Sequence, residues 1–368
     1  MTMQYYLAPM EGITTYIYRN AYAKYFGGID KYFTPFISDK NFITDKSFFC
    51  DKNFICDKNS ITDKNMSKSL TARELRDILP ENNVNIPLVP QVLTNHAGRF
   101  LAVAKEIAAY GYDTVNLNLG CPSGTVTAKK RGAGFLSVPD ELDAFLYEIF
   151  ARCPLQISVK TRLGVSDLSE WDRLLEIYAK YPIHELIIHT RLQQEFYTGK
   201  THPEAYTRAI ERLQADGTAR NHHIPLCYNG DIVSAGSLKD VLTAIDTSAV
   251  STSISGNGTA EGIDADRIMI GRGIIQNPAL AGQLQSVSPG SPVPKETWHA
   301  FHDEILDGYT KIMSGDSPVL FKMKDLWTYM SRSFTSPEKY LKKIRKANRI
   351  ADYVCAVDAL FREQDIAG

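Results

Sequence analysis

The stretch TVNLNLGCPSGTVTAKKRGAGFL, Thr114 to Leu136, opens as a β-rich run and breaks at Gly120 into a Cys-Pro-Ser-Gly turn. A β-rich run that stops at glycine and then changes direction reads as a strand handing its last residue to a loop. Outward from it, seven more runs repeat the plan: YYLAP near Tyr5, KYFTPFI from Lys31, PLVPQVL from Pro87, ISVKTRLG from Ile157, ELIIHTR from Glu185, PLCYNGD from Pro225 and RIMIGRG from Arg267. Most are separated by helix-compatible stretches. Eight strand-then-helix units predict an α/β fold of the (β/α)8 TIM-barrel kind, with its chemistry at the C-terminal ends of the strands. A doubly wound sheet would need a GxGxxG turn after the first strand, where this chain has PMEGIT.

After the eighth run the composition changes. SVSPGSPVPKETW from Ser286 reads as a hinge, which places a boundary near Pro294. The expected organisation is a barrel over residues 1–290 and a small all-α unit over 295–368, a bundle of three or four helices. In its last segment Ser336 is the expected cap, with Pro337 at the first helical position. Two stretches look inserted. From Ile37 to Met66 runs a hexapeptide array, with Asp-Lys recurring at Asp39, Asp45, Asp51, Asp57 and Asp63. A β-helix coil takes about three hexapeptides, so these copies make too few coils to stack a core, and an extended loop on the active-site face is expected. The Ser/Thr/Gly-rich segment from Ser251 to Asp266 is a second expected surface loop.

The 368 residues are 44% hydrophobic and 23% charged, with a net charge of -1. That balance suits a globular protein and excludes a uniformly basic nucleic-acid binder, though not a local basic patch. Neither a signal-like start nor an apolar run of about 18 residues is present, so no membrane association and a cytoplasmic location are expected. The six cysteines form no CxxC pair, which argues against a disulfide framework or a structural zinc site, and no metal is expected. Cys153 and Cys227 read as packing residues, and Cys355 falls on an apolar helix face.

Cys121 differs from these because it follows a strand end, at the barrel mouth, on a sharply turning loop near Lys129, Lys130 and Arg131. Barrels often bind phosphate with the loops after strands seven and eight. Here those loops are YNGDI, with Asn229, Gly230 and Asp231, and IGRGIIQNP, with Gly271, Arg272 and Gly273. Polar residues also project from the middle strands, namely Gln91, Asn118, Lys160, Arg162, His189 and Arg191. A ring of such donors, one of them a lysine within a β-rich run, suits a flavin whose N1–C2=O edge gains negative charge on reduction.

Taken in order, LAPMEGIT, NLNLGCPSGTV with RGAGFL, ISVKTRLG, IIHTR, YNGDI and IMIGRG resemble the tRNA dihydrouridine synthase family over about residues 4 to 290. The resemblance implies an FMN-binding barrel followed by a helical tRNA-binding unit, with NADPH as reductant. It implies that Pro9, Met10, Glu11, Gln91, Lys160 and His189 meet the flavin ring or ribityl chain, and that Asn229, Gly230, Asp231, Gly271 and Arg272 hold its phosphate. Cys121 would protonate C5 of uracil while hydride reaches C6. Asn118, Arg162, Arg191, Lys129 and Arg131 are expected on the substrate side, and a monomer is expected. From Lys322 to Arg349 nine basic residues outnumber two acidic ones, with Trp327, Tyr329 and Phe334 interleaved, which suits an RNA surface. The alternatives are an FMN barrel acting on a free pyrimidine, like a dihydroorotate dehydrogenase, or an RNA-binding module without redox chemistry.

Overall fold

The computed structural model describes residues 3–38, 69–214, 223–252, 266–286 and 292–367. Its strands are β1 (Gln4–Leu7), β2 (Lys31–Phe33), β3 (Ile37–Ser38), β4 (Leu88–Val89), β5 (Gln91–Leu93), β6 (Thr114–Leu119), β7 (Gln156–Arg162), β8 (Glu185–His189), β9 (Leu226–Asn229) and β10 (Arg267–Ile270). All pair in parallel. The pairings close a ring, because β1 lies against both β10 and β2, and β2 and β3 lie against β4 and β5 in turn. Ten segments thus make the eight strands expected. The second is interrupted around Pro35 and the third at Pro90, since proline has no N–H to donate to a ladder. Tyr32 sits opposite Leu88, but Ile37 opposite Val92, so the second strand carries one extra residue across the break.

The two-residue alternation of each strand sorts side chains inward and outward. Tyr5, Leu7, Val115, Leu117, Ile157, Val159, Leu186 and Ile188 face the surrounding helices in the large apolar core. Tyr6, Phe33, Val89, Ile187, Cys227 and Met269 fill the barrel waist as a separate cluster. Below the waist, Glu185 accepts from the Tyr6 hydroxyl at 2.8 Å and pairs with Lys31 at 3.1 Å, which closes the N-terminal end with charge already satisfied. Above it, Gln91, Asn118, Lys160, His189 and Asn229 point to the C-terminal end.

Helices α1 (Tyr16–Tyr25), α2 (Ala72–Ile78), α3 (Ala97–Ala109), α4 (Gly124–Thr127), α5 (Pro139–Arg152), α6 (Glu170–Tyr178), α7 (Pro203–Leu213), α8 (Ala235–Thr252), α9 (Arg272–Gln276) and α10 (Leu280–Gln285) follow the strands. Four more, α11 (Lys295–Ile312), α12 (Asp316–Met330), α13 (Glu338–Lys346) and α14 (Ile350–Glu363), form the C-terminal part. Their core is knit by Trp327, whose indole N–H donates to the Tyr353 hydroxyl at 2.7 Å, with His302 Nε2 2.7 Å from the same oxygen. That core continues into the barrel layer, since Phe301 packs edge-on against Tyr18 at 5.5 Å and Phe26 at 5.1 Å.

Several expectations need amending. Ile37 and Ser38, the first residues of the hexapeptide array, belong to the barrel, while 39–66 lie outside the described residues. The expected loop from Ser251 begins inside α8, which runs through Thr252, and 253–265 lie outside the described residues. Pro337 itself stands at the N-cap of α13, with no side-chain cap from Ser336. Cys355 is exposed on α14, because the buried stripe there is carried by Tyr353, Ala356, Val357, Leu360 and Phe361.

Candidate active site

A cavity of about 290 Å3 opens at the C-terminal end of the barrel. Each of the eight strands sends residues there: Pro9, Met10 and Glu11 from beyond β1, Pro35 and Phe36 from the break between β2 and β3, Gln91 from β5, Asn118 from β6, Lys160 from β7, His189 from β8, Asn229 from β9 and Gly271 from beyond β10. Cys121 reaches it from the loop after β6, with Gly230, Asp231 and Arg272 opposite. Register explains the assembly. Asn118 lies beside Lys160, and His189 beside Asn229, so adjacent strands present their inward polar residues at one height.

A hydrogen-bonded chain orders the floor. Asn118 Nδ2 donates to Gln91 Oε1 at 2.7 Å, Gln91 Nε2 to Asn116 Oδ1 at 2.8 Å, and Asn116 Nδ2 to Ser158 Oγ at 2.8 Å. Asn118 Oδ1 in turn accepts the backbone N–H groups of Gly120 and Cys121, both at 3.0 Å. That one amide therefore fixes the turn that carries the cysteine. Gly132, at φ +55°, passes so close that a Cβ there would stand 2.8 Å from the Cys121 carbonyl oxygen, which locks the loop from the other side.

Burial pushes the Cys121 thiol above its ordinary range, although Arg162 and Lys160 pull the other way. At neutral pH the group is a thiol and can give a proton. Burial, reinforced by Arg162, lowers Lys160 to about 7. Its ammonium donates to Asn229 Oδ1 at 2.8 Å and otherwise faces the cavity. Burial, helped by Arg162 and Lys160, holds His189 well below its ordinary value, so its ring is neutral.

Arg162 is fully buried behind the wall. Its Nε donates to Gly120 O and its Nη1 to Leu192 O, both at 2.9 Å, which ties the cysteine loop to β7. Its buried Nη2 has no hydrogen-bond partner among the described residues. Arg191 pairs through both Nη atoms with Asp231, while Arg272 reaches the same carboxylate at 2.5 Å. Although burial opposes it, Arg191 and then Arg272 hold that carboxyl below the usual range. Two guanidiniums on one carboxylate leave a single positive charge beside the glycine loops. Gly273 must lack a side chain there, because a Cβ would meet the Ile232 carbonyl oxygen at 2.1 Å.

Arg162, Arg191, Lys129 and Arg131 do not line the cavity. The expected basic supply to Cys121 is thereby corrected. Lys129 is exposed on the rim, Lys130 pairs with Glu141, Arg131 Nε reaches Asn95 at 3.4 Å, and the cations that act on the thiol are Arg162 and Lys160. Two lining aromatics escaped the sequence reading as site residues. Tyr197 stacks on His189 at 6.2 Å and lies under the guanidiniums of Arg162 and Arg272. Tyr329 arrives from α12. An aromatic in a loop after a strand was the available signal for Tyr197. Tyr329 was read only as one of three aromatics on an RNA surface; it lines the cavity, while its neighbours Trp327 and Phe334 are core residues.

The donor set fits a flavin. A lysine whose charge is destabilised by burial, a neutral imidazole and an amide face a cavity whose other wall is Ala8, Pro9, Met10 and Ile13. An electron-rich ring edge would relieve the lysine's uncompensated burial, and the apolar wall would take the ring face.

A closed parallel barrel with a polar pocket at the strand C-termini and a protonated cysteine on its rim defines an α/β-barrel enzyme. This chain belongs to the dihydrouridine synthase family, whose model, Dihydrouridine synthase (Dus), matches residues 6–357. Membership makes it a flavin-dependent enzyme. A protein named probable tRNA-dihydrouridine synthase from Staphylococcus aureus (strain N315) is 27% identical over 272 residues, 74% of this chain and 68% of that one. A protein of the same name from Rhodobacter capsulatus is 27% identical over 242 residues, 64% of each. One from Staphylococcus epidermidis is 30% identical over 195 residues, 52% of each. None of the described helices is long and apolar enough to cross a membrane.

Proposed function

We propose that this chain is a tRNA-dihydrouridine synthase that reduces the C5=C6 bond of a tRNA uridine, with FMN as resident cofactor, NADPH as reductant and Cys121 as proton donor. The observation that carries the reading is the thiol of Cys121 on the rim of the cavity whose floor holds Lys160, His189 and Asn229. A bound flavin would supply hydride for C6 of the uracil, and Cys121 Sγ would give the proton to C5, a role that requires the thiol that burial maintains. Lys160 would place its charge against the flavin, Gln91 and neutral His189 would offer it hydrogen bonds, and Pro9, Met10 and Glu11 would bound it from beyond β1. The mononucleotide follows from the loops after β9 and β10, where Asn229, Gly230, Asp231, Gly271 and Arg272 make a small cradle of net positive charge suited to one phosphate.

On the substrate side, Asn118 holds the Cys121 turn in position, and Arg162, buried behind the wall, ties that loop to β7 through Gly120 O. Arg191 acts through Asp231. A uridine reaches this depth only when turned out of its stack, so the polynucleotide must be held around the mouth. Lys129 and Arg131 supply charge on one side. A second basic surface is α13, which exposes Lys339, Lys342, Lys343, Arg345 and Lys346 while burying Tyr340 and Ile344.

The test is nucleoside mass analysis of tRNA from a strain lacking the gene, complemented with wild type or Cys121→Ala. Dihydrouridine restored at defined positions by wild type and not by the variant is the expected result. Unchanged dihydrouridine in all three strains, with no second such enzyme present, overturns the reading and points to a free pyrimidine.

A further inference from the structure

A second cavity, about 160 Å3, lies beside the first and shares Pro35 and Phe36 with it as a common wall. It sits where α1, α2, the broken second strand, the C-terminal end of α11 and Lys322 of α12 meet. Its floor is apolar, with Ile17, Ile37, Ile78 and Met313. Its rim carries Arg73, Arg76 and Lys322. The two carboxylates among its lining residues are consumed within the protein: Glu74 accepts from Ser38 N–H and the Thr71 N–H and hydroxyl, and Asp77 from Tyr16 N–H and Arg19. Glu11 stands between the cavities and pairs with Arg73 at 2.6 Å, while Lys322 Nζ donates to Gly12 O at 3.1 Å. With Asp77 matched by Arg19, the three cations Arg73, Arg76 and Lys322 stand against the two carboxylates Glu11 and Glu74 and leave the rim with a net charge of +1.

An apolar slot under a cationic rim matches a nucleotide, with the ring buried and the phosphate outside. Size narrows the choice. The slot is well under the roughly 300–1,000 Å3 of pockets that enclose whole ligands, so it takes one ring system and leaves the rest at the rim. Origin narrows it further, because α11 and α12 contribute Ile312, Met313 and Lys322, and α12 leads into the basic face of α13. A dinucleotide reductant has no need of those helices. Ile312, at 37% exposure, is an apolar side chain that an entering base would cover.

We propose that this cavity is a second nucleotide subsite, which receives the base adjacent to the target uridine and holds its phosphate on Arg76 and Lys322. The proposal rests on tRNA being the substrate. A neighbouring base seated behind the Pro35–Phe36 wall stays apart from the target and keeps the turned-out uridine from restacking.

The test uses flavin-loaded full-length enzyme, wild type against Ile312→Trp, which fills the slot, and Arg76→Glu, which reverses a rim charge on exposed α2. The expected result is a KM for tRNA raised about tenfold or more in both, with kcat, KM for NADPH and flavin content near wild type. Chemical probing of wild-type complexes should find one base next to the target protected, and exposed again with Ile312→Trp. Unchanged KM for tRNA in both variants overturns the proposal, as does a rise confined to KM for NADPH, which assigns the slot to the reductant. If the tryptophan variant does not fold, Arg76→Glu decides alone. A wild-type enzyme that makes no dihydrouridine overturns the parent reading instead, a result distinct from an active wild type with indifferent variants.

Discussion

Cys121 and Lys160 face the same cavity but are driven in opposite directions by one cause. Burial penalises charge, so it keeps the proton on the thiol and loosens it from the ammonium. As a proton donor Cys121 is competent below its raised pKa and loses competence as pH rises through it. Single-turnover reduction of tRNA by pre-reduced enzyme should therefore show an alkaline limb with its midpoint above the ordinary thiol value of 9.0. In Cys121→Ser the rate should fall by roughly 10²–10⁴-fold and that limb should vanish. A wild-type midpoint below 9.0 would mean that the thiol is not held as described. Both residues were legible as chemistry in the sequence, one by its turn and the other by its strand. The hold of Asn118 on the cysteine loop was not, because an amide's partners depend on neighbouring strands that sequence spacing does not rank.

At the scale of elements, one ion cluster fastens the first two helices to each other. Arg19, fully buried on α1, donates to Thr14 O at 2.8 Å, to Asp77 Oδ2 at 3.2 Å and to Asn83 Oδ1 at 2.9 Å. Asp77 Oδ1 meanwhile accepts the Tyr16 N–H at 2.7 Å, so a carboxylate from α2 satisfies the open N-terminus of α1. Arg19→Met leaves that carboxylate buried without its cation and should cost about 3–5 kcal/mol, read as a lower urea midpoint. A loss below about 1 kcal/mol would show that water replaces the guanidinium. The broken second and third strands belong to this scale too. Pro35 and Pro90 were visible in the sequence, but their consequence, a one-residue offset that turns Pro35 and Phe36 into the wall between two cavities, needed the register.

For the molecule as a whole, the C-terminal helices are bound to the barrel by shared aromatic packing, and α13 exposes a basic face. The expected separation into two units at a hinge sits against a core that runs unbroken from Tyr18, Tyr22 and Phe26 into Trp298 and Phe301. Charge on α13 should therefore be removable without disturbing the site. Changing Lys342, Lys343 and Lys346 to Ala should leave the NADPH-driven rate of flavin reduction intact. It should also weaken tRNA binding and flatten the slope of log affinity against log salt by up to about 0.9 per lost phosphate contact. An unchanged slope would move the RNA path off this helix.

The sequence by itself determined the barrel and put at its strand ends the polar residues and the cysteine that line one cavity. Each of these is set locally, by two-residue alternation, turn chemistry and residue type. Tertiary structure alone decided which cations act on that cysteine, that Trp327 and Phe334 are core while Tyr329 reaches the pocket, and that a second cavity exists. Those outcomes depend on which strand lies beside which and on how α11 settles against α1, and electrostatic and packing energies follow distances through space, not positions along the chain.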